Sequence, residues 1–169
     1  SGTSAHSARP WQGDNAIHKA GPLLLELSSR EPRWVEHDGL RYATVTSATM
    51  ASGGSGRNVV PGLFEVNVNH RFGPGTSIAQ ARAEVESLVG GRAAVEFVDE
   101  APSALPHRGH EAVRALESSG VRGVSAKQAW TDVARFEEHG IAGANFGPGI
   151  AAQAHQRGEW ASVKELEVG

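Results

Sequence analysis

The sequence predicts an α+β fold, and three observations support this class. Residues 64–72 alternate strictly between apolar and polar side chains, the pattern of a strand buried on one face only. Two segments with apolar side chains at i, i+3 and i+4 spacing lie on either side of the strand-forming region and predict amphipathic helices. Glycine clusters such as Gly53-Gly54-Ser55-Gly56 and Gly73-Pro74-Gly75 separate these periodic segments and mark turns.

The first hundred residues read as alternating strands and helices. We place Asp14 at the N-cap of the first helix, in which Pro22 removes one backbone hydrogen bond, and Thr76 or Ser77 at the N-cap of the second. This order is that of a ferredoxin-like split-βαβ sandwich, with both helices on one face of an antiparallel sheet. The predicted elements are a strand tail at residues 2–5, a helix at 15–27, strands at 40–50 and 64–72, a helix at 78–88 and a strand at 94–98.

The pattern of apolar and polar residues changes after residue 100, so we expect the chain to have two parts, residues 1–100 and residues 101–169. Two prolines and little periodicity in residues 101–108 predict a hinge. Short strands and helices then alternate, as at the edge of an α/β layer, but the strands are too few to close that layer alone. The predicted elements are helices near 111–118 and 131–139, strands near 121–125 and 141–146, a glycine loop, and a last helix beginning near 160–162.

Charge and composition exclude several classes of function. The net charge is −3 and is spread evenly, which leaves no basic face, so we expect no nucleic-acid partner. The chain has no Cys, which excludes disulfides and thiolate metal sites. No apolar run approaches the roughly 18 residues of a membrane span, and we expect no membrane association.

Several titratable residues have an ordinary explanation. His107 and His110 share i, i+3 spacing but lack a third ligand, so we interpret them as a solvated hinge pair. Glu137-Glu138 falls in the last turn of a predicted helix and is interpreted as a solvated helix end. His70 lies on the apolar face of its strand and is predicted to be a core histidine with its hydrogen bonds satisfied.

Two other histidines stand in more suggestive surroundings. His6 lies at a strand end among small residues that leave its ring accessible, and His155 follows the glycine loop at residues 147–149. Each one alone is compatible with an ordinary loop residue, since a single imidazole neither holds zinc nor forms a triad.

Six separated motifs occur in order along the chain: Gly2-x-x-Ala5-His6-Ser7-Ala8-x-Pro10, Gly13-x-Asn15-Ala16-Ile17, Asn58-Val59-Val60-Pro61, Asn69-x-Arg71-Phe72, Trp130-Thr131-Asp132-x-x-Arg135-Phe136, and Gly147-Pro148 with His155 and Glu159. Taken together, they resemble the lid, or dimerisation, domain and C-terminal part of the co-catalytic zinc amidohydrolases that include aminoacylases and carboxypeptidases. Within this family, the run around Trp130 and the loop before His155 resemble the actinobacterial type of succinyl-diaminopimelate desuccinylase.

The resemblance implies a cytoplasmic homodimer, formed through the lid, that hydrolyses the amide of N-succinyl-LL-2,6-diaminopimelate with two zinc ions, for which Co²⁺ is a substitute. His155 would be a zinc ligand. His6 would stabilise the oxyanion in the partner subunit's active site. Asn58, also acting across the dimer, and Arg71 would bind substrate carboxylates, and Thr131 would contact the succinyl end. The residues after the hinge would be a fragment of a zinc-peptidase-type α/β domain.

The departures from this family leave alternatives open. The family's remaining metal ligands, which include a His-x-Asp, are absent from the 169 residues. The chain starts at Ser1 and its only Met is Met50, so we expect the lid and C-terminal part of such an enzyme, inactive and without zinc by itself. A stand-alone, non-catalytic dimerisation or ligand-binding module is one alternative. An amidohydrolase or dipeptidase for another N-acyl substrate is the other.

Overall fold

A computed structural model describes residues 1–121, 123–149 and 153–168 of the chain. Among these residues, none of the helices has both the length and the apolar character needed to cross a membrane. The elements in chain order are β1 (Ala5–His6), a 3-10 helix (Pro10–Gln12), α1 (Ala16–Ser29), β2 (Arg33–His37), β3 (Leu40–Gly53), β4 (Val59–Val60), β5 (Phe64–Arg71), α2 (Ile78–Val89), α3 (Glu111–Ser118), α4 (Val133–Glu138) and α5 (Val163–Val168).

The strands form a three-stranded antiparallel sheet in the order β2-β3-β5 and a separate two-stranded ribbon of β1 with β4. The predicted α+β class, with antiparallel strands and packed helices, is confirmed. The alternation that predicted β5 is also confirmed. Phe64, Val66 and Val68 are half-buried, whereas Glu65 and Asn67 are exposed.

The prediction missed β2, which forms a hairpin with β3. The two strands meet at the turn Asp38-Gly39, where both residues have positive φ, 50° and 73°. An Asp-Gly pair between two strand-forming runs is a strong signal for such a two-residue hairpin, so the sequence did contain the information. β3 extends to Gly53, beyond the predicted end at residue 50.

The two long helices pack on one face of the sheet, as predicted. Leu23 and Leu27 of α1 meet Leu88 of α2 in a buried cluster, against which Val68 of β5 packs. Ile17, an apolar residue of the helix predicted at residues 15–27, is 40% exposed. The helix is rotated so that the Leu23–Leu27 side faces the sheet.

The N-cap residue differs from the prediction in α1 and agrees with it in α2. Asn15, rather than the predicted Asp14, caps α1, and its Oδ1 accepts from the backbone N–H groups of Ile17 and His18. Asp14 is not free to do so because its backbone bridges to Thr3. Ser77 caps α2 as predicted.

The predicted strand at residues 94–98 is wrong, because these residues have no strand pairing. β1, the strand available at that end of the fold, has only two residues and is paired with β4. Side chains hold the segment instead. Arg82 of α2 lies 4.9 Å over the ring of Phe97 and pairs with Glu100 through two nitrogens.

After residue 108, the described residues form helices and no strands. α3 has the predicted bounds, while α4 and α5 begin later than predicted. The predicted strand at 141–146 is wrong, since these residues are irregular. For the strand near 121–125, residue 122 lies outside the described residues and the others are irregular as well. A strand exists only through its ladder, and the described residues after the hinge provide no partner strand.

Candidate functional site

The ribbon of β1 and β4 brings two of the predicted site residues together. Ala5 pairs with Val60 and His6 with Val59, so His6 lies one position from Asn58 along the ribbon. The backbone N–H of Ser7 donates to the carbonyl of Asn58 at 2.8 Å, which extends the pairing. His6 and Asn58 are both exposed, and their backbones are adjacent in the ribbon.

The His6 ring is oriented by its own turn. Its Nδ1 accepts a hydrogen bond from the backbone N–H of Ala8 at 3.0 Å, and the N–H of Arg9 donates to the His6 carbonyl at 2.8 Å. With Nδ1 acting as acceptor, the neutral ring carries its proton on Nε2. The exposed ring therefore presents an N–H donor to solvent.

Arg71 is exposed and lies at the opposite end of β5 from the ribbon. The ribbon joins β5 at Phe64, through residues 61–63. Arg71 follows Phe64 by seven strand positions, which a rise of about 3.3 Å per residue converts to roughly 23 Å. The structure therefore does not bring Arg71 together with His6 and Asn58 within one chain.

Thr131 is half-buried and contacts the glycine-loop segment. Its Oγ1 accepts a hydrogen bond from Nδ2 of Asn145 at 3.1 Å. Asn145 immediately precedes the loop, so this contact places Thr131 beside the segment that leads to His155. The sequence indicated no role for Asn145 beyond its place in this loop motif.

His155 is exposed and has a left-handed backbone, with φ of 64°. Its backbone N–H donates to Oε2 of Glu159 at 3.2 Å. Within residues 1–121, 123–149 and 153–168, no group of three or more His, Cys, Asp or Glu side chains is placed to hold a metal ion. His155 therefore does not form a zinc site with other described residues.

His107 and Glu137, both interpreted as solvated from the sequence, form a half-buried pair instead. Nε2 of His107 contacts Oε2 of Glu137, and the two side chains are 29% and 26% exposed. His107 has φ of 49°, an unusual conformation for a residue with a Cβ. His110 does not share this contact, because its Nδ1 caps α3 by accepting from the N–H of Ala112. The interpretation as a solvated pair is wrong.

Two contacts that no local pattern indicated attach the C-terminal segment to the hairpin of β2 and β3. The side-chain amide of Gln128 accepts from the N–H of Ala43 at 3.0 Å and donates to the carbonyl of Arg41 at 3.2 Å. It thus occupies a free backbone edge of β3 as another strand would. Arg108 donates to the carbonyl of Asp38 and pairs through two nitrogens with Glu117, whose pKa this contact lowers.

His70 lies at the floor of a cleft of about 500 Å³ between the two long helices and the sheet. Its side chain is 9% exposed, and its Nδ1 lies 2.8 Å from Oγ1 of Thr46. Burial lowers the pKa of His70; the carboxylate of Glu84 opposes the shift, and Arg30 and Arg33 add to it. Its Nε2 is buried without a hydrogen-bond partner among the described residues, so the predicted satisfied core histidine is satisfied on one nitrogen only.

Comparisons with known proteins show which family and which relatives this chain is similar to. A family model described as "Peptidase dimerisation domain" matches residues 1–95. A Mycobacterium tuberculosis protein with the provisional name succinyl-diaminopimelate desuccinylase DapE is 42% identical over 98% of this chain and 47% of its own length. Succinyl-diaminopimelate desuccinylase of Corynebacterium glutamicum is 36% identical over 98% of this chain and 46% of its own length.

A third relative matches a smaller part. Succinyl-diaminopimelate desuccinylase of Stenotrophomonas maltophilia is 36% identical over 52% of this chain and 23% of its own length. The chain spans about half the length of the first two relatives, and its similarity to them extends beyond the segment that the family model matches.

Proposed function

Since the chain belongs to the peptidase dimerisation domain family, we propose that it is the lid and C-terminal part of a cytoplasmic zinc amidohydrolase. The reaction is hydrolysis of the amide of N-succinyl-LL-2,6-diaminopimelate to succinate and LL-2,6-diaminopimelate. The lid is residues 1–100, and residues 101–169 are the hinge and part of the catalytic domain. The similarity of two desuccinylases to 98% of the chain supports this substrate.

The observation that carries the proposal is the orientation of His6. Amide hydrolysis passes through a tetrahedral intermediate whose oxygen becomes negatively charged, and preorganised N–H donors stabilise that charge. The bond from Ala8 to Nδ1 leaves Nε2–H as the donor of the exposed His6 ring. Asn58, one ribbon position away, offers a side-chain amide that suits a carboxylate on the same substrate.

Arg71 would bind another substrate carboxylate through its planar guanidinium. Its separation of roughly 23 Å from the Phe64 end of β5 exceeds what one small substrate spans. We therefore assign His6 and Asn58 to the active site of the partner subunit in a homodimer, and Arg71 to the site of its own subunit. Thr131, held beside Asn145, would contact the succinyl end.

The zinc ions need ligands other than those described. His155 would supply one imidazole to a site of two zinc ions, which activate water when bound. The described residues do not fit a complete site by themselves. No step assigned here to His6, Asn58, Arg71 or Thr131 passes through the metal.

The dimer would form through the edge of the sheet and the first helix. β2 is an edge strand, and an unblocked edge pairs readily with a second chain. Trp34 on that strand is 52% exposed and Leu25 on α1 is 71% exposed. Large apolar side chains left in water are typical of a surface that a partner covers.

A subunit-mixing experiment tests this arrangement in the full-length enzyme. The variants His6→Ala and Arg71→Ala are each inactive as homodimers in the proposal. If His6 acts across the dimer, subunit exchange between them restores about a quarter of wild-type turnover, since half of the dimers are mixed and each has one intact site. No restoration, with mixed dimers demonstrated by mass spectrometry, would refute the shared site.

Two further measurements test the substrate and the metal content separately. Faster turnover of acetyl-amino acids or dipeptides than of succinyl-diaminopimelate would replace the substrate but keep the enzyme class. The chain of 169 residues alone is expected to show no turnover. Tightly bound zinc, or turnover above that of a His155→Ala control, would contradict the division of the site.

A further inference from the structure

Arg71 lies at the end of a short section of strand ladder. Four rungs join β3 to β5 between the register shift near Thr49 and the end of the ladder, and the last of them pairs Val45 with Arg71. Beyond this rung β3 continues without β5, and the Gln128 side chain takes over its free edge at Ala43. A terminal section of four rungs beside a bulge frays more easily than the middle of a sheet.

A side-chain hydrogen bond joins the two residues of the pair immediately before Arg71 in the ladder. Thr46 and His70 are opposite one another, and Thr46 Oγ1 lies 2.8 Å from Nδ1 of His70. The N–H of Ala43 points away from β2, and strand alternation makes the N–H of Val45 point the same way, toward β5. Val45 and Arg71 therefore form a hydrogen-bonded pair. Thr46 and His70 form the closer, non-hydrogen-bonded kind of pair, in which side chains meet.

The second nitrogen of His70 faces α2. Its Nε2 lies 3.5 Å from Oε2 of Glu84, and Arg33 of β2 donates to both oxygens of that carboxylate at 2.8 and 3.0 Å. A ring nitrogen that faces a carboxylate carries the proton, so Nδ1 is the acceptor for the Thr46 hydroxyl. One buried imidazole thus contacts the sheet on one side and the helix layer on the other.

We propose that His70 is a positioning residue for Arg71: its bond to Thr46 holds the end of β5 and thereby fixes the direction of the Arg71 guanidinium. This rests on the proposed function only in that Arg71 binds a substrate carboxylate. On the other side of Arg71, Gly73 packs against Val35 and Tyr42 so closely that a Cβ there would lie 2.5 Å from Val35 Cγ2. The backbone is therefore held on both sides of Arg71, by the hydrogen bond of His70 to Thr46 on one side and by the packing of Gly73 on the other.

Matched substitutions separate the two contacts of His70. His70→Asn places an amide oxygen near the position of Nδ1 and keeps an acceptor for Thr46. His70→Gln places an amide nitrogen near the position of Nε2 and keeps only the approach to Glu84. Thr46→Val removes the hydroxyl with little change of shape, whereas Thr46→Ser keeps it.

The first measurement is amide hydrogen exchange of Val45 and Arg71 in the chain of 169 residues. We expect His70→Gln and Thr46→Val to accelerate exchange at both amides roughly fivefold, the size expected for one lost hydrogen bond, and His70→Asn and Thr46→Ser to restore protection. Equal exchange in all four variants, or acceleration by all four, would overturn the positioning role. The amides of Leu23 and Leu27, within α1 and in the buried cluster, serve as an internal control, because protected core amides report global destabilisation.

The second measurement is kinetic and uses the full-length enzyme. Loss of alignment of a carboxylate-binding group weakens substrate binding, so KM should rise roughly fivefold in His70→Gln and Thr46→Val while kcat stays within about twofold. Faster exchange with unchanged KM would keep the positioning role and reject the function proposed for Arg71. Unchanged exchange would reject the positioning role whatever the kinetics show.

Discussion

Replacement of Leu27 by Ala tests whether the small cluster between the helices and the sheet stabilises the fold. Leu27 is 5% exposed and packs with Leu23 and Leu88. The substitution removes three carbon atoms, which at about 0.8 kcal/mol each accounts for about 2.4 kcal/mol, and the cavity left behind adds to this. Because the cluster has few members and lies near the cleft, collapse is easy, and we expect a loss of about 3 kcal/mol in the free energy of unfolding.

Leu25→Ala is the matched control, because it makes the same chemical change in the same helix. Leu25 is 71% exposed, so its loss should change the free energy of unfolding by less than about 0.5 kcal/mol. The assay is urea unfolding followed by circular dichroism at a helix wavelength, with the slope against urea compared between variants. A loss of about 3 kcal/mol corresponds to a fall in Tm of roughly 6–12 °C for a chain of this size.

Two results would refute this account. Equal losses from Leu25→Ala and Leu27→Ala would mean that burial in the single chain does not decide stability. A loss below about 1 kcal/mol from Leu27→Ala would mean that the cluster is not a core. The comparison also reports on the dimer. If the loss from Leu25→Ala changes when the protein concentration is raised tenfold, Leu25 is covered in the associated state.

Three further tests have expected outcomes. Gly73→Ala, whose Cβ would lie 2.5 Å from Val35 Cγ2, should destabilise the fold by roughly 1–3 kcal/mol, whereas Gly109→Ala, whose Cβ would meet no described atom within 4 Å beyond its chain neighbours, should change stability by less than about 0.5 kcal/mol; urea midpoints in the opposite order would contradict this. Ser77→Ala should cost about 1 kcal/mol through loss of the capping box of α2, and Ser77→Thr should retain most of it by the same assay. Burial lowers the pKa of His70 from its ordinary value of 6.5, so its contribution to stability is full above the unfolded pKa and is lost as the pH falls through the folded pKa. Against a His70→Leu variant, the stability of the wild type should therefore decline as the pH falls below the ordinary pKa of 6.5 toward the lower pKa of the folded state, and a rise would contradict the sign.

Much of the first hundred residues could be predicted because the signals there act within a few residues. The alternation in β5 depends on a period of two, and the capping box of α2 joins Ser77 to the residue three positions later. The motif around His6 and the segment at Asn58 were recognised from their residues alone, and the ribbon of β1 and β4 places them together. Even the hairpin at Asp38-Gly39, which the prediction missed, was present as a local signal.

Only the tertiary structure determined which distant residues meet. The side-chain amide of Gln128 contacts Ala43, 85 residues away in the chain, and His107 contacts Glu137, 30 residues away. No periodicity in the sequence predicts either contact. Residues 94–98 and 141–146 have strand-forming composition, yet they remain irregular because none of the strands in the described part of the chain pairs with them. Local propensity determines what a segment is able to form. Whether it forms depends on partners brought close by the rest of the chain, since a ladder or an ion pair is a property of two segments.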